Sequence, residues 1–334
     1  MRGFRTIRTG GLAGFILAIT MLLRAGLIET EEIKPAADAP KPLSPRESLE
    51  SFQLAKGLKI ELVASEPLIA DPTGIAWDEQ GRLFVCEIHG YNLEGHLDII
   101  ELNKTGKLDK KIRRIYATPE TLTEARKQTY GRVKLLQDTD GDGRFDRSTV
   151  FAGDLAWPTA VACYDGGVFV GVTPDILYLK DTDGDRRADE RRVVFTGFGN
   201  EVTKLNMQSL MNSFRWGLDN RIHGTASGTP GKVRVVGRPE LGTVTFRRGD
   251  FSFDPRSLDF RLESGGAQHG MDFDAAGRKF VCSNSHHIQQ VMYERRYTGA
   301  NPNFSPPSPL VDIPVDGASA TVFRLSPDEA WRGI

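Results

Sequence analysis

The residues with the most specific chemistry form a loop, DTDGDGRFD, in which aspartates alternate with small residues. Gly143 stands at its sixth position, where the backbone must bend sharply. Ca²⁺ takes several hard oxygen ligands at about 2.3–2.6 Å, and carboxylates alternating around a tight turn can supply them. The spacing therefore predicts a calcium-binding loop. Its predicted ligands, at positions one, three, five and nine, are Asp138, Asp140, Asp142 and Asp146.

A second loop of the same kind begins with DTDGD. Its sixth residue is Arg186 in place of glycine, so we expect a less favourable turn and weaker calcium binding. Neither loop has the glutamate at position twelve that closes an EF-hand, and strand-like runs precede both. We predict structural calcium loops between strands, with an acidic surface turn that binds no metal as the alternative. The predicted ligands of the second loop are Asp181, Asp183, Asp185 and Asp189.

A further set of candidate residues is dispersed along the chain, close to the beginnings of short apolar runs. His269 is the best candidate for a catalytic base or ligand contact, because glycines precede it and histidine titrates near neutral pH. A histidine with a purely structural role is the alternative. The candidate cofactor-binding or ligand-binding residues are Asp71, Thr73, Trp157, Thr159, Gln208, Asn212 and Gln268.

These residues are far apart in sequence, but the chain repeats one β-hairpin four times. Each copy has an apolar strand, a polar turn with Gly or Asn, and a second strand. The four copies are Gly74–Glu87, Ala160–Thr173, Ser213–Ala226 and Gly270–Ser283. The aligned turn positions are Gly81, Gly166, Asn220 and Gly277.

A hairpin followed by two more strands makes a repeat of about 40–50 residues, which is the size of a β-propeller blade. We therefore predict an all-β fold, a β-propeller. A β-sandwich is the alternative, but it does not explain why the same hairpin recurs. In a propeller the first strands of all blades surround one axis, so the dispersed polar residues should meet at one end, which we call the mouth. The calcium loops should lie on the outer side, away from the mouth.

The N-terminal region has a different character. Basic residues precede an apolar run, Leu12–Leu23, as in an export signal, and this run is shorter than the roughly 20 residues of a comfortable membrane span. We predict a signal peptide or signal anchor over 1–28, a linker and short capped helix over 29–56, and a partial propeller over 57–334. The protein is then exported, and is either periplasmic or anchored to the membrane by its N-terminal segment.

Charge and cysteine content exclude several classes of function. The formal net charge is −1, so the chain lacks the basic field expected of a nucleic-acid-binding protein. Its three cysteines form neither a CxxC pair nor a CxxCH motif, so the sequence encodes neither a zinc ribbon nor a c-type haem site.

The run from about Gly57 to Phe304 resembles the membrane-bound dehydrogenase domain of planctomycete-type bacteria. The motifs that carry the resemblance are LVASEPLIADPTGIAWDEQGRLFVCE, the two DTDGD loops, LMNSFRWGLDNRIHG and SGGAQHGMDFDAAGRKFVCSNSHHI. That domain is related to the soluble glucose/sorbosone dehydrogenases. The resemblance implies a TolB/NHL-like six-bladed propeller, pyrroloquinoline quinone (PQQ) as cofactor, a small carbohydrate or alcohol as substrate, and a c-type cytochrome as electron acceptor.

Two departures from that family leave three functions open. Quinoprotein relatives have a catalytic histidine just before the strand that corresponds to Ser213–Leu218, whereas residues 204–208 read KLNMQ here. The sequence also covers only about four to five blades, which favours an incomplete copy. The first function is a PQQ-dependent sugar or alcohol dehydrogenase. The second is a non-catalytic propeller that binds carbohydrate or protein, and the third is a metal-dependent lactonase that recruits Asp71, Glu87 and Asn212.

Overall fold

The computed structural model describes residues 43–89, 129–199, 207–299, 301, 303–315 and 317–318. The predicted signal segment and most of the linker lie outside these residues. Within them the fold is all-β, with two short helices, α1 (Pro45–Ser51) and α2 (Arg295–Thr298). No helix in the described ranges is long and apolar enough to cross a membrane.

The strands form four antiparallel sheets. In chain order they are β1 (Pro72–Trp77), β2 (Leu83–Glu87), β3 (Gly131–Gln137), β4 (Arg147–Leu155), β5 (Pro158–Tyr164), β6 (Gly167–Val172), β7 (Asp175–Lys180), β8 (Glu190–Phe198), β9 (Asn212–Trp216), β10 (Ile222–Thr225), β11 (Gly231–Val235), β12 (Thr243–Phe246), β13 (Asp250–Phe253), β14 (Phe260–Glu263), β15 (Met271–Phe273), β16 (Lys279–Val281), β17 (Gln289–Val291) and β18 (Leu310–Asp312).

Each sheet is built mainly from strands that follow one another in sequence. The first sheet has the order β1-β2-β3-β4, the third β9-β10-β13-β14, and the fourth β15-β16-β17-β18. The second sheet contains β5-β6-β7-β8 and is extended by the hairpin β11–β12. This hairpin lies in sequence between β10 and β13 of the third sheet, but β11 pairs with β8 of the second sheet. The sequence did not predict this extension.

The four predicted hairpins are present as β1–β2, β5–β6, β9–β10 and β15–β16. Their turns share one backbone feature, because all four aligned positions have positive φ: 76° at Gly81, 73° at Gly166, 59° at Asn220 and 75° at Gly277. Gly and Asn are the residues that tolerate this conformation best. The turn residues therefore explain why the same hairpin forms four times.

The first strands of the four sheets lie side by side. β1 packs against β5, β5 against β9, and β9 against β15, so we call these four the inner strands. Hydrogen bonds join them: the Thr73 hydroxyl donates to the Pro158 carbonyl at 2.7 Å, and the Asn212 amide donates to the Gln268 carbonyl at 2.9 Å. The sheets thus form one continuous array of neighbours.

Buried aromatic rings form much of the contact between the second and third sheets. Phe253 of β13 lies 5.1 Å from Phe169 and 5.0 Å from Phe195, measured between ring centroids, and Phe198 lies 5.1 Å from Phe251. Each of these rings is at most 1 % exposed. Burying one such side chain contributes about 1.5–3 kcal/mol, so this cluster holds the second and third sheets together.

The segment before β1 covers the face of the first sheet that points away from the second sheet. Ile69 packs against Leu83, Val85 and Leu136, and the Leu68 carbonyl accepts a hydrogen bond from the Lys134 ammonium at 2.6 Å. The short capped helix predicted within 29–56 is α1, which has a capping box in which Ser44 and Glu47 exchange hydrogen bonds.

Candidate functional site

The inner strands surround a cavity of about 670 Å³ at the end where these strands begin. We call it the mouth cavity. Six of its lining residues were predicted from sequence: Asp71, Thr73, Thr159, Gln208, Asn212 and His269. The others that line it are Pro72, Ile88, Leu210 and Asn284.

The remaining two predicted residues, Trp157 and Gln268, do not line the cavity. Trp157 is 1 % exposed and lies in the hydrophobic interior, although it directly precedes β5. Gln268 uses its backbone carbonyl to accept from Asn212 and its side-chain oxygen to accept from the Asn284 N–H at 3.2 Å. It therefore positions two of the lining residues, Asn212 and Asn284.

Threonines at the mouth hold neighbouring sheets together. Besides the bond from Thr73, the Thr159 hydroxyl donates to the Met211 carbonyl, which joins β5 to the residue before β9. Hydroxyls engaged in this way fix the cavity walls. Asp71, Gln208 and His269 remain partly exposed and are therefore accessible to a ligand.

His269 is at the end of a loop, 264–269, that is held from the third sheet. The Asp250 carboxylate accepts from the Gly266 N–H at 3.1 Å, and the Thr225 hydroxyl donates to the Ala267 carbonyl at 2.9 Å. Partial burial of the His269 imidazole lowers its pKa. The ring is therefore neutral at pH 7 and can accept a proton or a hydrogen bond.

A buried cluster of charged side chains contacts loop 264–269. The Lys279 ammonium lies 3.4 Å from a carboxylate oxygen of Asp250 and 3.4 Å from one of Glu294, and Glu294 also accepts from the Ser264 N–H at 2.8 Å. Burial raises the pKa of Asp250 and that of the nearby Glu263. Lys279 is the cation that keeps these carboxylates compatible with burial.

A second charged cluster lies at the rim of the mouth cavity, next to Asp71. Glu87 is fully buried and contacts His89 at 2.8 Å, Arg132 at 2.6 Å and Lys134 at 3.1 Å. Burial alone would raise the pKa of Glu87, but hydrogen bonds from His89, the Ala70 N–H, Arg132 and Lys134 hold it below its ordinary value. Glu87 is thus a permanent anion whose oxygens are all engaged, and it does not line the cavity.

The two aspartate loops connect the third and fourth strands of the first and second sheets, as the sequence predicted. The carboxylates of Asp138, Asp140 and Asp142 bring one oxygen each within 4.8 Å of one another, and those of Asp181, Asp183 and Asp185 do the same. Asp146 and Asp189 instead accept hydrogen bonds from Thr139 and Thr182.

Backbone N–H groups donate hydrogen bonds to the first aspartate of each loop. Asp138 accepts from the N–H groups of Gly141 and Gly143 at 2.7 and 2.9 Å, and these bonds lower its pKa. Gly143 has φ 88°, whereas Arg186 at the same position of the second loop has φ 72°. A side chain costs about 1–2 kcal/mol in this conformation, so the second loop is the more strained of the two.

The mouth cavity does not fit PQQ, which is a tricarboxylate. Among the described residues that line it there is no lysine or arginine, and Asp71 adds a carboxylate. Two cations of the first sheet, Arg132 and Lys134, are both engaged by Glu87. An anion with three carboxylates would therefore enter the cavity without a cationic partner, at a high desolvation cost.

Comparisons with known proteins give one family match. A family model described as "Domain of unknown function (DUF7133)" matches residues 44–333. No curated protein matches the sequence. Among solved structures, a luciferin-regenerating enzyme is 7% identical with a TM-score of 0.35, over 68% of this chain and 57% of that one.

Two structures of a polysaccharide lyase, PL25 ulvan lyase, are 11% identical with a TM-score of 0.31, over 66% of this chain and 51% of each of those. One of them contains a bound -[GlcA(1-4)Rha3S]- segment. The chain thus spans little more than half the length of the solved structures that it matches. Similarities of this size indicate no specific function.

Proposed function

The chain belongs to the DUF7133 family, and we propose that it is an exported, calcium-stabilised β-propeller segment whose mouth cavity binds a small neutral carbohydrate or polyhydric alcohol. The propeller proposal rests on the four sheets in series, each presenting its first strand to the next. It explains why residues from Asp71 to Asn284 meet in one cavity.

The composition of the cavity wall carries the ligand assignment. The wall combines a carboxylate, side-chain amides and an imidazole with apolar patches from Ile88 and Leu210. Hydroxyl groups donate to carboxylates and accept from amides, so a polyol can satisfy both kinds of partner. The absence of Lys and Arg among the described lining residues favours a neutral ligand over an anionic one.

Calcium is proposed as a structural ion in the two aspartate loops. These loops join outer strands, whereas the mouth lies at the inner strands, so the ions would stabilise the sheets and would not touch a ligand. The first loop should bind more tightly, since glycine stands at its sixth position.

A dehydrogenase is the second candidate function. His269 favours it, because a neutral imidazole in the mouth wall can take the proton of an alcohol. The cavity wall does not fit PQQ, so no step is assigned to that cofactor, and a c-type cytochrome partner belongs to this candidate only. A lactonase is less favoured, since Glu87 is buried by His89, Arg132 and Lys134 and is not exposed to the cavity.

Calorimetric titration with glucose, galactose, mannose and sorbitol tests the proposal. The variant is Asp71→Asn, which removes a charge from the cavity wall while keeping the shape and the positive φ of 49°. Asp165→Asn is the matched control, because Asp165 is exposed in the β5–β6 turn with the same φ. Loss of a hydrogen bond to a charged group should weaken binding about tenfold in the first variant only.

Two results would count against this function. The absence of binding by every compound in the panel would refute it. Saturable PQQ binding with sugar-dependent dye reduction would replace it with the dehydrogenase.

A further inference from the structure

We propose that a groove at the opposite end of the inner strands is a second binding site, specific for neutral oligosaccharides. The groove has a volume of about 470 Å³ and is formed where β1, β5 and β9 end. This site does not depend on the function proposed for the mouth cavity, since the two share none of their lining residues.

Two exposed tryptophans form the walls of this groove. Trp77, the last residue of β1, is 56 % exposed, and Trp216, the last residue of β9, is 43 % exposed. They stand on either side of β5, which provides the floor through Ala162 and Cys163. Two indole rings exposed in one concave surface form an apolar patch of the kind that is found at binding sites.

The orientation of Trp216 is fixed before any ligand arrives. Its Nε1–H donates to the Cys163 carbonyl at 3.1 Å, and its ring lies 6.2 Å from that of Tyr164. A ring held in this way is ordered at no further entropic cost on binding. Trp77 has the higher exposure and presents a largely open apolar surface across the groove.

The charges of the groove exclude anionic ligands. Arg215 pairs with Asp272 at 3.2 Å, and Asp78 pairs with Arg82 at 2.6 Å, so both cations beside the groove already have carboxylate partners. Glu79 adds an exposed carboxylate to the wall. A phosphate, sulfate or uronate would meet repulsion here.

A neutral sugar matches this arrangement. A pyranose has a face of C–H groups that stacks on indole, and a rim of hydroxyls that can accept from the Arg215 guanidinium while donating to the Asp272 carboxylate. Asp272 is 68 % exposed at its side chain and is therefore accessible for such a bond. Two indoles in one groove favour a chain of sugar units over a single one.

Tryptophan fluorescence titration with maltotetraose, cellotetraose and xylotetraose tests this site. We expect a saturable change with at least one of the three, weakened about tenfold in Trp77→Ala, because this variant removes one of the two stacking rings; a tenfold loss of affinity corresponds to about 1.4 kcal/mol. Trp77→Phe should recover most of the affinity. Phe304→Ala is the control, since Phe304 is 52 % exposed and does not line the groove.

Further variants separate this site from the mouth and from folding defects. Asp71→Asn should leave oligosaccharide binding at the groove unchanged, and Asp272→Asn should weaken it several-fold with the melting temperature unaltered. No saturable change with any of the three tetraoses overturns the proposal. Binding that survives Trp77→Ala and Asp272→Asn also overturns it, whatever the mouth cavity binds.

Discussion

Replacing Gly265 by alanine should displace loop 264–269, the loop that places His269 at the mouth cavity. A Cβ atom at Gly265 would lie 1.9 Å from a carboxylate oxygen of Asp250 and 2.6 Å from its Cγ. Asp250 is fully buried and accepts from the Gly266 N–H, so it cannot move without losing that bond. The neighbouring Gly266 has almost the same φ, 136° against 138°, but open space where its Cβ would be.

Both substitutions strain the backbone, but only Gly265→Ala disturbs the hydrogen bond of Asp250. Alanine at either φ is strained by about 1–3 kcal/mol. Gly265→Ala in addition leaves a buried carboxylate short of a hydrogen bond, which costs about 1–3 kcal/mol more. Urea unfolding measures both values, and the difference between the variants isolates the contact with Asp250. Equal destabilisation of the two variants would refute the role assigned to Asp250.

The remaining predictions concern calcium and the buried charges. A chelator should lower the melting temperature and added Ca²⁺ should restore it. One site filled at a hundredfold excess of free Ca²⁺ over its Kd adds about 2.7 kcal/mol to the free energy of unfolding. Asp140→Ala should weaken this response more than Asp183→Ala, and an unchanged melting temperature with chelator would contradict both loops. Lys279→Met should destabilise the protein by about 3–5 kcal/mol, because it leaves Asp250 buried without its cation, and wild-type stability in urea would contradict this. The pKa of Glu263 is raised in the folded state, so its contribution to stability is present at low pH and is lost as pH rises. Glu263→Gln should therefore gain stability relative to wild type as the pH rises above about 4.3, the ordinary pKa of glutamate, as measured by urea unfolding. A stability difference that does not change with pH would contradict the raised pKa of Glu263.

The repeated hairpins were predictable because their signals are local. A positive φ at Gly81 or Asn220 depends on the residue itself, and the alternation of apolar and polar residues around each turn places the strands. The position of the aspartate loops between β3 and β4 and between β7 and β8 was predictable for the same reason. The first strands could then be placed side by side, which located six of the ten residues that line the mouth cavity.

Features that depend on distant pairing were not predictable. The hairpin β11–β12 pairs with β8 of the preceding sheet, and nothing in its own residues specifies that partner. The cluster of Lys279, Asp250 and Glu294 assembles from three separate segments, and each residue alone resembles an ordinary surface charge. Trp157 was predicted to line the mouth because it directly precedes an inner strand, but its side chain is buried in the interior.

The most direct test of the mouth assignment is the NMR signal of His269 during a titration with the sugar or polyol that calorimetry identifies. His269 lines the mouth cavity, whereas His286 pairs with Asp312 in the fourth sheet and does not line it. We predict a saturable shift of the His269 imidazole resonances with the calorimetric Kd, and no comparable shift of His286. A ligand that binds while the His269 resonances stay unchanged would contradict the assignment of the mouth cavity as the binding site.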